Sequence, residues 1–165
     1  GVSNYYLVKK KTLSESFLIT ADSTGVIKKL FFGDSLNILS VPLKNQVKSF
    51  NYMDINNDNT KDYIFLTDEN LMAYSQDLEL IYNIEFEEEL PKSMNAFDIS
   101  NNTSCVGVTL RNNEIHLYTS EGYDKSGFPL SGCTKFSMGD INKNGDVELV
   151  VGGEQGYIYV YTVEE

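Results

Sequence analysis

The sequence predicts an all-β fold, a β-propeller of four consecutive four-stranded blades in which the last blade is incomplete. Short segments rich in β-branched and aromatic residues are bounded by Gly, Asn, Asp or Ser, which is typical of strands joined by turns. An internal repeat recurs with a period of about 43 residues, which lies in the range of propeller blades. No stretch of about 11 residues or more has a convincing helical period, so we expect essentially no helix.

The repeat is clearest in two nine-residue loops, residues 54–62 and 140–148. Each loop has oxygen-bearing side chains at positions 1, 3, 5 and 9, and each has Ile at position 2. The loops begin 86 residues apart, which is twice 43, and a degenerate copy begins near the midpoint at Asp98. Each loop follows an aromatic-rich run and precedes an apolar one, so each is expected to join two strands.

The repeat divides one propeller segment, residues 1–165, into four predicted blades. Their approximate limits are residues 4–46, 47–91, 92–134 and 135–165. Within each blade a hairpin signal separates the second and third strands. These signals are Ser23-Thr24-Gly25, Asp68-Glu69-Asn70, Asn112-Asn113 and Glu154-Gln155-Gly156. Gly or Asn at the end of each signal supplies the positive φ that such turns need.

The two loops carry the oxygen ligands that a hard cation prefers. Ca²⁺ takes about six to eight oxygen ligands at roughly 2.3–2.6 Å, and alternating residues of a tight loop point inward together. In both loops we expect four side-chain ligands and one backbone carbonyl, at position 7. The first set is Asp54, Asn56, Asp58 and Asp62, with the carbonyl of Thr60. The second set is Asp140, Asn142, Asn144 and Glu148, with the carbonyl of Asp146.

Position 6 of each loop must turn sharply, which Asn59 and Gly145 both tolerate. A helix-type calcium loop is excluded, because position 12 is Phe65 in one copy and Val151 in the other, and both lie in apolar runs. One alternative remains open, since turns rich in Asn and Asp also form hydrogen bonds within themselves without a metal. The second loop has two neutral amides among its four side-chain ligands.

The composition restricts the possible partners. The formal net charge is −11, from 24 acidic and 13 basic residues, which argues against a nucleic-acid partner and against an anionic membrane surface. No apolar run reaches about 18 residues, so we expect no insertion into a membrane. The two cysteines, Cys105 and Cys133, could be free thiols or one disulfide.

We find no group of residues that predicts catalysis. His116 is the single histidine, and its alternation with Ile115 and Leu117 indicates a packing or surface residue on a strand. The sequence offers no pairing that would activate a nucleophile or a metal-bound water. Tyr157, Tyr159 and Tyr161 share one face of a predicted strand, where packing between blades is favoured over stacking on a sugar. We therefore expect a protein that is not an enzyme.

Residues 140–161 resemble the FG-GAP/VCBS-type calcium-binding β-propeller repeat. That repeat has an Asp-x-Asp-x-Asp-Gly-x-x-Asp loop, an apolar strand ending in Gly, a Gly turn and a Tyr/Val strand. Residues 126–130, Ser-Gly-Phe-Pro-Leu, resemble the segment that leads from one such blade to the next. The resemblance covers residues 47–165 well and residues 4–46 weakly. The third loop departs from it, with Ser100 at position 3 and Val106 at position 9, so we expect no metal there.

The resemblance implies four-stranded blades around an axis, with calcium between the first and second strands. Members of this family are commonly extracytoplasmic adhesion, receptor or accessory domains. We therefore expect a non-enzymatic binding or scaffold module that is secreted, periplasmic or on the cell surface. Its ligand, a protein or a glycan, is not identified by the sequence. The alternative is an accessory or catalytic part of a carbohydrate-active enzyme.

The number of blades predicts a further partner. A four-blade arc that does not close would leave apolar blade faces in water, such as those of residues 17–19 and 149–151. We expect either that the chain is the C-terminal part of a longer propeller or that a second copy completes the ring. A third possibility is that residues 4–8 add a strand to the fourth blade and close a four-bladed ring.

Overall fold

The structure, a computed structural model, describes residues 5–33, 35–87, 89–100 and 103–163, with only the backbone of Ser100. Its strands form four antiparallel sheets, which we number as blades 1 to 4 in chain order. Blade 1 contains β1 (Tyr5–Val8), β2 (Phe17–Ala21), β3 (Val26–Phe31) and β4 (Leu36–Ser40). Blade 2 contains β5 (Ser49–Met53), β6 (Asp62–Leu66), β7 (Asn70–Tyr74) and β8 (Leu80–Glu85). Blade 3 contains β9 (Pro91–Ser100), β10 (Thr103–Leu110), β11 (Glu114–Tyr118) and β12 (Leu130–Ser131). Blade 4 contains β13 (Phe136–Gly139), β14 (Val147–Gly152) and β15 (Ile158–Val163).

The strands of every blade lie side by side in the order in which the chain makes them. Each blade is therefore an antiparallel meander, the arrangement that short turns between consecutive strands permit. The prediction of four consecutive blades with an incomplete last one is confirmed. Over the described ranges the chain has no α-helix, and its one helical element is a short 3-10 turn at Glu154–Gly156. No helix in that part of the chain is long and apolar enough to cross a membrane.

The hairpin turns follow the predicted backbone geometry in three of the four blades. Gly25, Asn113 and Gly156 have φ values of 83°, 67° and 83°. Asn70 does not have a positive φ, because it already belongs to β7. The Thr67 hydroxyl stabilises this turn instead, by accepting a hydrogen bond from the Asn70 backbone N–H at 2.9 Å. A side-chain hydroxyl thus replaces the left-handed residue that the sequence pattern suggests.

Buried apolar residues pack between successive blades. One cluster joins blade 1 to blade 2 through residues such as Ile19 and Phe50. A second joins blade 2 to blade 3 through Ile64 and Val108, and a third joins blade 3 to blade 4 through Leu117. All five residues of β6 are buried, because this inner strand of blade 2 has a neighbouring blade on each side. Within the described ranges, no buried cluster joins blade 4 to blade 1.

The third blade differs from the sequence-based expectation. Asp98 was expected to start a loop, but β9 continues to Ser100 and β10 begins at Thr103. Cross-strand pairing over this length outweighs the turn preference of the polar residues, and Asn101 and Asn102 of the degenerate copy lie outside the described residues. The short strand expected at residues 128–130 is β12, which begins at Leu130 and pairs with β11.

One face of blade 1 is open and apolar. Strand register places Leu7, Leu18, Leu30 and Leu36 on the face that turns away from blade 2. Large apolar side chains exposed on this face are Tyr5, Leu7, Leu30, Leu36 and Ile38. Phe17 and Ile19 are buried against blade 2 instead. The expectation of an exposed face is therefore right for the blade, but of residues 17–19 only Leu18 contributes to it.

Blade 4 also has an open face. Leu149 and Val151 are buried against blade 3, whereas Ile158 and Val160 of β15 are exposed on the opposite side. Residues 4–8 do not close the ring across this face, because β1 pairs with β2 and the described β13–β15 sheet contains no further strand. That alternative was wrong for residues 5–8. Residue 4 lies outside the described part of the chain.

The two cysteines are free thiols, with Cys105 buried and Cys133 half-buried. Cys105 belongs to the core between blades 3 and 4. Burial raises the pKa of the Cys105 thiol, which keeps it in the neutral form that an apolar core favours. Of the two alternatives that the sequence left open, the structure therefore has the free thiols.

Candidate metal site

The first loop connects β5 to β6 and is fixed at both ends by buried residues. Ile55, at position 2, is fully buried in the core between blades 2 and 3. Asp62, at position 9, is the first residue of β6 and is also fully buried. The exposed part of the loop therefore lies between two anchors, and one of them is a carboxylate.

Side chains of this loop accept hydrogen bonds from its own backbone. The Asp54 carboxylate accepts from the N–H groups of Asp58 at 3.1 Å and Asn59 at 2.8 Å. The amide oxygen of Asn56 also accepts from Asp58 N–H, at 3.2 Å. The Asp58 carboxylate accepts from the Thr60 backbone N–H at 2.7 Å and from the Thr60 hydroxyl. Positions 1, 3 and 5 thus point their oxygens into the curve of the loop, as predicted.

Asp62 is the unusual residue of the site. Its Oδ2 accepts a hydrogen bond from the Ile55 N–H at 3.0 Å, but its Oδ1 is buried with no hydrogen-bond partner. Burial raises the pKa of Asp62, and the Ile55 N–H lowers that pKa in part. The charges of Asp58 and Asp54 raise the pKa further, and the backbone N–H of Asn56 lowers it. A buried carboxylate oxygen without a donor is costly, and two like charges nearby add to the cost.

The second loop, between β13 and β14, repeats this pattern of hydrogen bonds. The Asp140 carboxylate accepts from the N–H groups of Asn144 at 3.1 Å and Gly145 at 3.0 Å. The amide oxygen of Asn142 accepts from Asn144 N–H at 2.9 Å, and that of Asn144 accepts from Asp146 N–H at 2.8 Å. The two loops therefore share a pattern of hydrogen bonds as well as a pattern of residues.

The backbone turns at two positions in each loop. Position 6 has positive φ in both, 67° at Asn59 and 97° at Gly145, as expected from their residue types. Position 4 has positive φ as well, 59° at Asn57 and 63° at Lys143. The turn at position 4 was missed, because lysine gives no sequence signal for a left-handed conformation.

The two loops differ in the hydrogen bonds made by the residue at position 9. Glu148 Oε2 accepts from the Ile141 N–H at 2.9 Å, as Asp62 does from Ile55, but its Oε1 also accepts from the Asn142 side-chain amide at 2.7 Å. Both oxygens of Glu148 are therefore satisfied within the protein. The isoleucines at position 2 differ in exposure, since Ile141 is 58% exposed and Ile55 is fully buried.

The first loop fits a hard cation better than the second. Its donors are carboxylate, amide and backbone oxygens, which suit calcium, and Asp62 Oδ1 is a buried ligand atom that lacks a partner. Among the described residues, no three His, Cys, Asp or Glu side chains form a metal-binding group by themselves. An ion in this loop would therefore need the Asn56 amide and the Thr60 carbonyl in addition to the carboxylates.

A polar cleft of about 390 Å³ lies beside the first loop. Asp54, Asn57 and Lys61 line it from blade 2, and Asp98 and Ser104 line it from blade 3. The first loop therefore borders solvent at the junction of blades 2 and 3.

The tyrosines and the histidine behave mainly as packing residues. Tyr159 and Tyr161 pack against the core between blades 3 and 4, as expected, whereas Tyr157 precedes β15 and is exposed. His116 stacks on Tyr118, with ring centroids 5.8 Å apart, and its Nδ1 lies 3.0 Å from a carboxylate oxygen of Asp124. The Asp124 contact was missed, because nothing in the spacing shows that residue 124 returns to the edge of β11.

No protein-family model matches the chain, and no curated protein sequence matches it. Among solved structures, the chain is similar to BBS1N, a β-propeller domain, in complex with ARL6DN. In the mercury-soaked crystal the identity is 14%, the TM-score is 0.69, and the match covers 100% of this chain and 53% of the other. In the lead-soaked crystal the identity is 13% and the TM-score is 0.66, and the match covers 98% of this chain and 56% of the other.

The chain has a β-propeller fold. It spans only about half the length of the BBS1N chains that it matches, 53% and 56%. It is also similar to the WD40 β-propeller domain of Doa1, at 11% identity and a TM-score of 0.42, over 98% of this chain and 74% of that one.

Proposed function

We propose that this protein is a non-enzymatic binding or scaffold module that acts outside the cytoplasm and is stabilised by calcium. The observation that supports the metal is the buried Oδ1 of Asp62, which lacks a hydrogen-bond partner beside the charges of Asp58 and Asp54. A bound cation would supply the missing partner and would neutralise the repulsion among the three carboxylates. Asn56 and the Thr60 carbonyl would complete the coordination.

The proposed location outside the cytoplasm rests on the resemblance of residues 140–161 to a repeat whose members are commonly extracytoplasmic. Extracellular calcium modules bind with a Kd on the order of 10⁻⁴–10⁻³ M, so their sites fill only where calcium is abundant. In the second loop the ligands would be Asp140, Asn142, Asn144 and Glu148, with the Asp146 carbonyl. We propose that it binds calcium more weakly, because Glu148 must give up its bond to Asn142.

The proposed partner is a protein or a glycan. BBS1N was crystallised in complex with ARL6DN, and we propose by analogy that blades of this chain also present a surface to another macromolecule. The open apolar faces of blades 1 and 4 would be covered by the remaining blades of the same chain or by a second copy. The net charge of −11 disfavours nucleic acid as the partner.

The alternative is a role within a carbohydrate-active enzyme. A glycan array together with a polysaccharide hydrolysis assay separates the two functions. We expect no turnover by this chain, because glycoside hydrolysis needs a pair of carboxyl groups that flank the scissile bond, and the sequence singles out no such pair. Sugar release by the purified chain would overturn the proposal of a non-enzymatic module.

Calcium should raise the melting temperature of the wild type. The stabilisation should follow RT ln(1 + [Ca²⁺]/Kd), which is about 2.7 kcal/mol when calcium is 100 times Kd. Asp54→Ala should remove most of the increase, Asp140→Ala should remove less, and the double variant should remove all of it. Scanning calorimetry in EDTA and in excess calcium measures this. Equal melting temperatures of the wild type in both buffers would show that neither loop is a metal site.

A further inference from the structure

We propose that the groove between blades 1 and 2 binds an extended, basic segment of a partner protein. This inference rests on the proposed binding function and names the kind of partner. The groove lies between residues 42–45, which leave blade 1, and the third and fourth strands of blade 2, β7 and β8. Its volume is about 650 Å³, within the range of protein ligand sites.

Apolar side chains line one part of the groove, which we call its floor. Leu43 lies on its blade 1 side, and Met72 and Leu80 lie on its blade 2 side. Leu90 lines the end that leads to blade 3. Leu80 is 54% exposed and Leu90 is 36% exposed, so the floor is open to solvent. Two exposed leucines in one concave site provide apolar area that a partner side chain could bury.

Acidic side chains line another part of the groove, which we call its rim. Glu69, Glu85 and Glu87 line it, and Lys44 is the one basic side chain among its described lining residues. The Glu69 carboxylate accepts a hydrogen bond at 2.8 Å from the amide of Asn45, which lies on the blade 1 side. This bond fixes one carboxylate at the junction of the two blades. The excess of negative charge favours an occupant that carries Lys or Arg.

Strand β8 suggests the conformation of the occupant. It is the outermost strand of blade 2, and in the described sheet its outer edge pairs with no other strand. The backbone groups of an edge strand can pair with an extended segment, while alternate side chains of that segment enter neighbouring pockets. A segment with basic side chains between apolar ones would match both the rim and the floor. The whole-chain charge of −11 would also attract such a segment from a distance.

The test uses a capped, fluorescein-labelled synthetic peptide of alternating Arg and Leu, with fluorescence anisotropy at fixed millimolar calcium. We expect saturable binding, and we expect none for the peptide in which Glu replaces Arg. The triple variant Glu69→Lys, Glu85→Lys and Glu87→Lys should weaken binding about tenfold or more, since it reverses the charge of the rim. Leu80→Ser should also weaken binding, without any change of charge.

Two matched controls separate the groove from general attraction. The triple variant Glu15→Lys, Glu121→Lys and Glu154→Lys alters net charge by the same amount at exposed positions outside the groove, and it should retain most of the affinity. Leu36→Ser, on the open face of blade 1, should bind like the wild type. Equal losses in both triple variants, or an unchanged affinity in Leu80→Ser, would overturn the inference. Failure of peptide binding with an intact calcium response would refute the groove and leave the proposed calcium site standing.

Discussion

At the residue scale, positions 5 and 9 distinguish the two loops, and at position 9 the difference is the one methylene group between Asp62 and Glu148. In the second loop Asn144 donates its side-chain amide to Asp146, so the Asn142 amide is available to reach Glu148. In the first loop position 5 is an acid, Asp58, and it takes the side-chain amide hydrogen bond from position 3. The shorter Asp62 therefore keeps one oxygen without a donor. The same backbone thus supports one loop that is satisfied without a metal and one that is not.

Asp62→Asn should separate calcium binding from folding. In EDTA the melting temperature should stay equal or rise, because a neutral amide removes a buried charge that two neighbouring carboxylates repel. In excess calcium the increase expected for the wild type should be lost, because the amide supplies no negative ligand. Calorimetry in both buffers measures the two effects. Glu148→Gln is the control and should keep the first loop's response. A large calcium-dependent increase in Asp62→Asn would contradict the assignment of Asp62 as a ligand.

The sequence predicted the side-chain pattern of the loops but not their full hydrogen bonding. The alternation of Asp and Asn at positions 1, 3 and 5 is a local pattern, and the structure places those oxygens as expected. The unpaired oxygen of Asp62 depends on Ile55 and on burial by blade 3, which are tertiary features. No local pattern shows them.

At the scale of strands, one close contact fixes the junction of blades 3 and 4. Gly107 lies in β10, and a Cβ atom built on it would lie 2.1 Å from the ring of Phe136 in β13. The Phe136 ring also stacks on Phe97 of β9, with centroids 5.2 Å apart. The absence of a side chain at residue 107 thus allows the aromatic ring to lie directly on the backbone of the next blade.

Gly107→Ala should destabilise the protein by about 1–3 kcal/mol, because the added methyl group overpacks a filled junction. Urea denaturation at fixed calcium measures the change. When Gly107→Ala is combined with Phe136→Leu, the loss in free energy of unfolding should be smaller than the sum of the two single losses. The smaller side chain at position 136 leaves room for the methyl group. Additive losses in the double variant would show that the two residues are not coupled, contrary to the observed contact.

Strand order was easier to predict than strand length. Turn signals that contain Gly, Asn or Asp occur between the second and third strands of every blade, so these hairpins follow from the sequence. The extension of β9 to Ser100 could not be predicted, because Asp98 and its neighbours look like a degenerate loop copy. Their extended conformation is stabilised by pairing with β10, which the sequence pattern does not include.

For the whole molecule, the 43-residue period predicted the arc of blades and its exposed ends. The pattern could not tell which residues of an apolar strand face the neighbouring blade, because inner strands are apolar on both sides. The strand register in the structure shows which residues face the neighbouring blade: Leu18 lies on the open face of blade 1, whereas Phe17 and Ile19 are buried.

The open face of blade 1 should make the isolated chain associate with itself. Leu36→Asp together with Ile38→Asp should abolish concentration-dependent association in analytical ultracentrifugation, because it places charge within the apolar patch. Tyr123→Asp is the control, at an exposed aromatic residue between β11 and β12 of blade 3. A compact monomer with its first and last blades in mutual contact, seen by solution scattering, would instead show that four blades close without a partner.

The position of Ile55 links the loop to the interface of blades 2 and 3. The N–H of this residue binds Asp62, while its side chain is buried in the core that the two blades share. Any ion that restrains the loop would then favour the docked blades, and by thermodynamic reciprocity docking would raise the affinity for the ion by the same factor. Ile141 occupies the equivalent position in the second loop and is exposed. The second loop would therefore reach its full cation affinity only after another blade covers Ile141, so assembly of the ring and ion uptake would be cooperative.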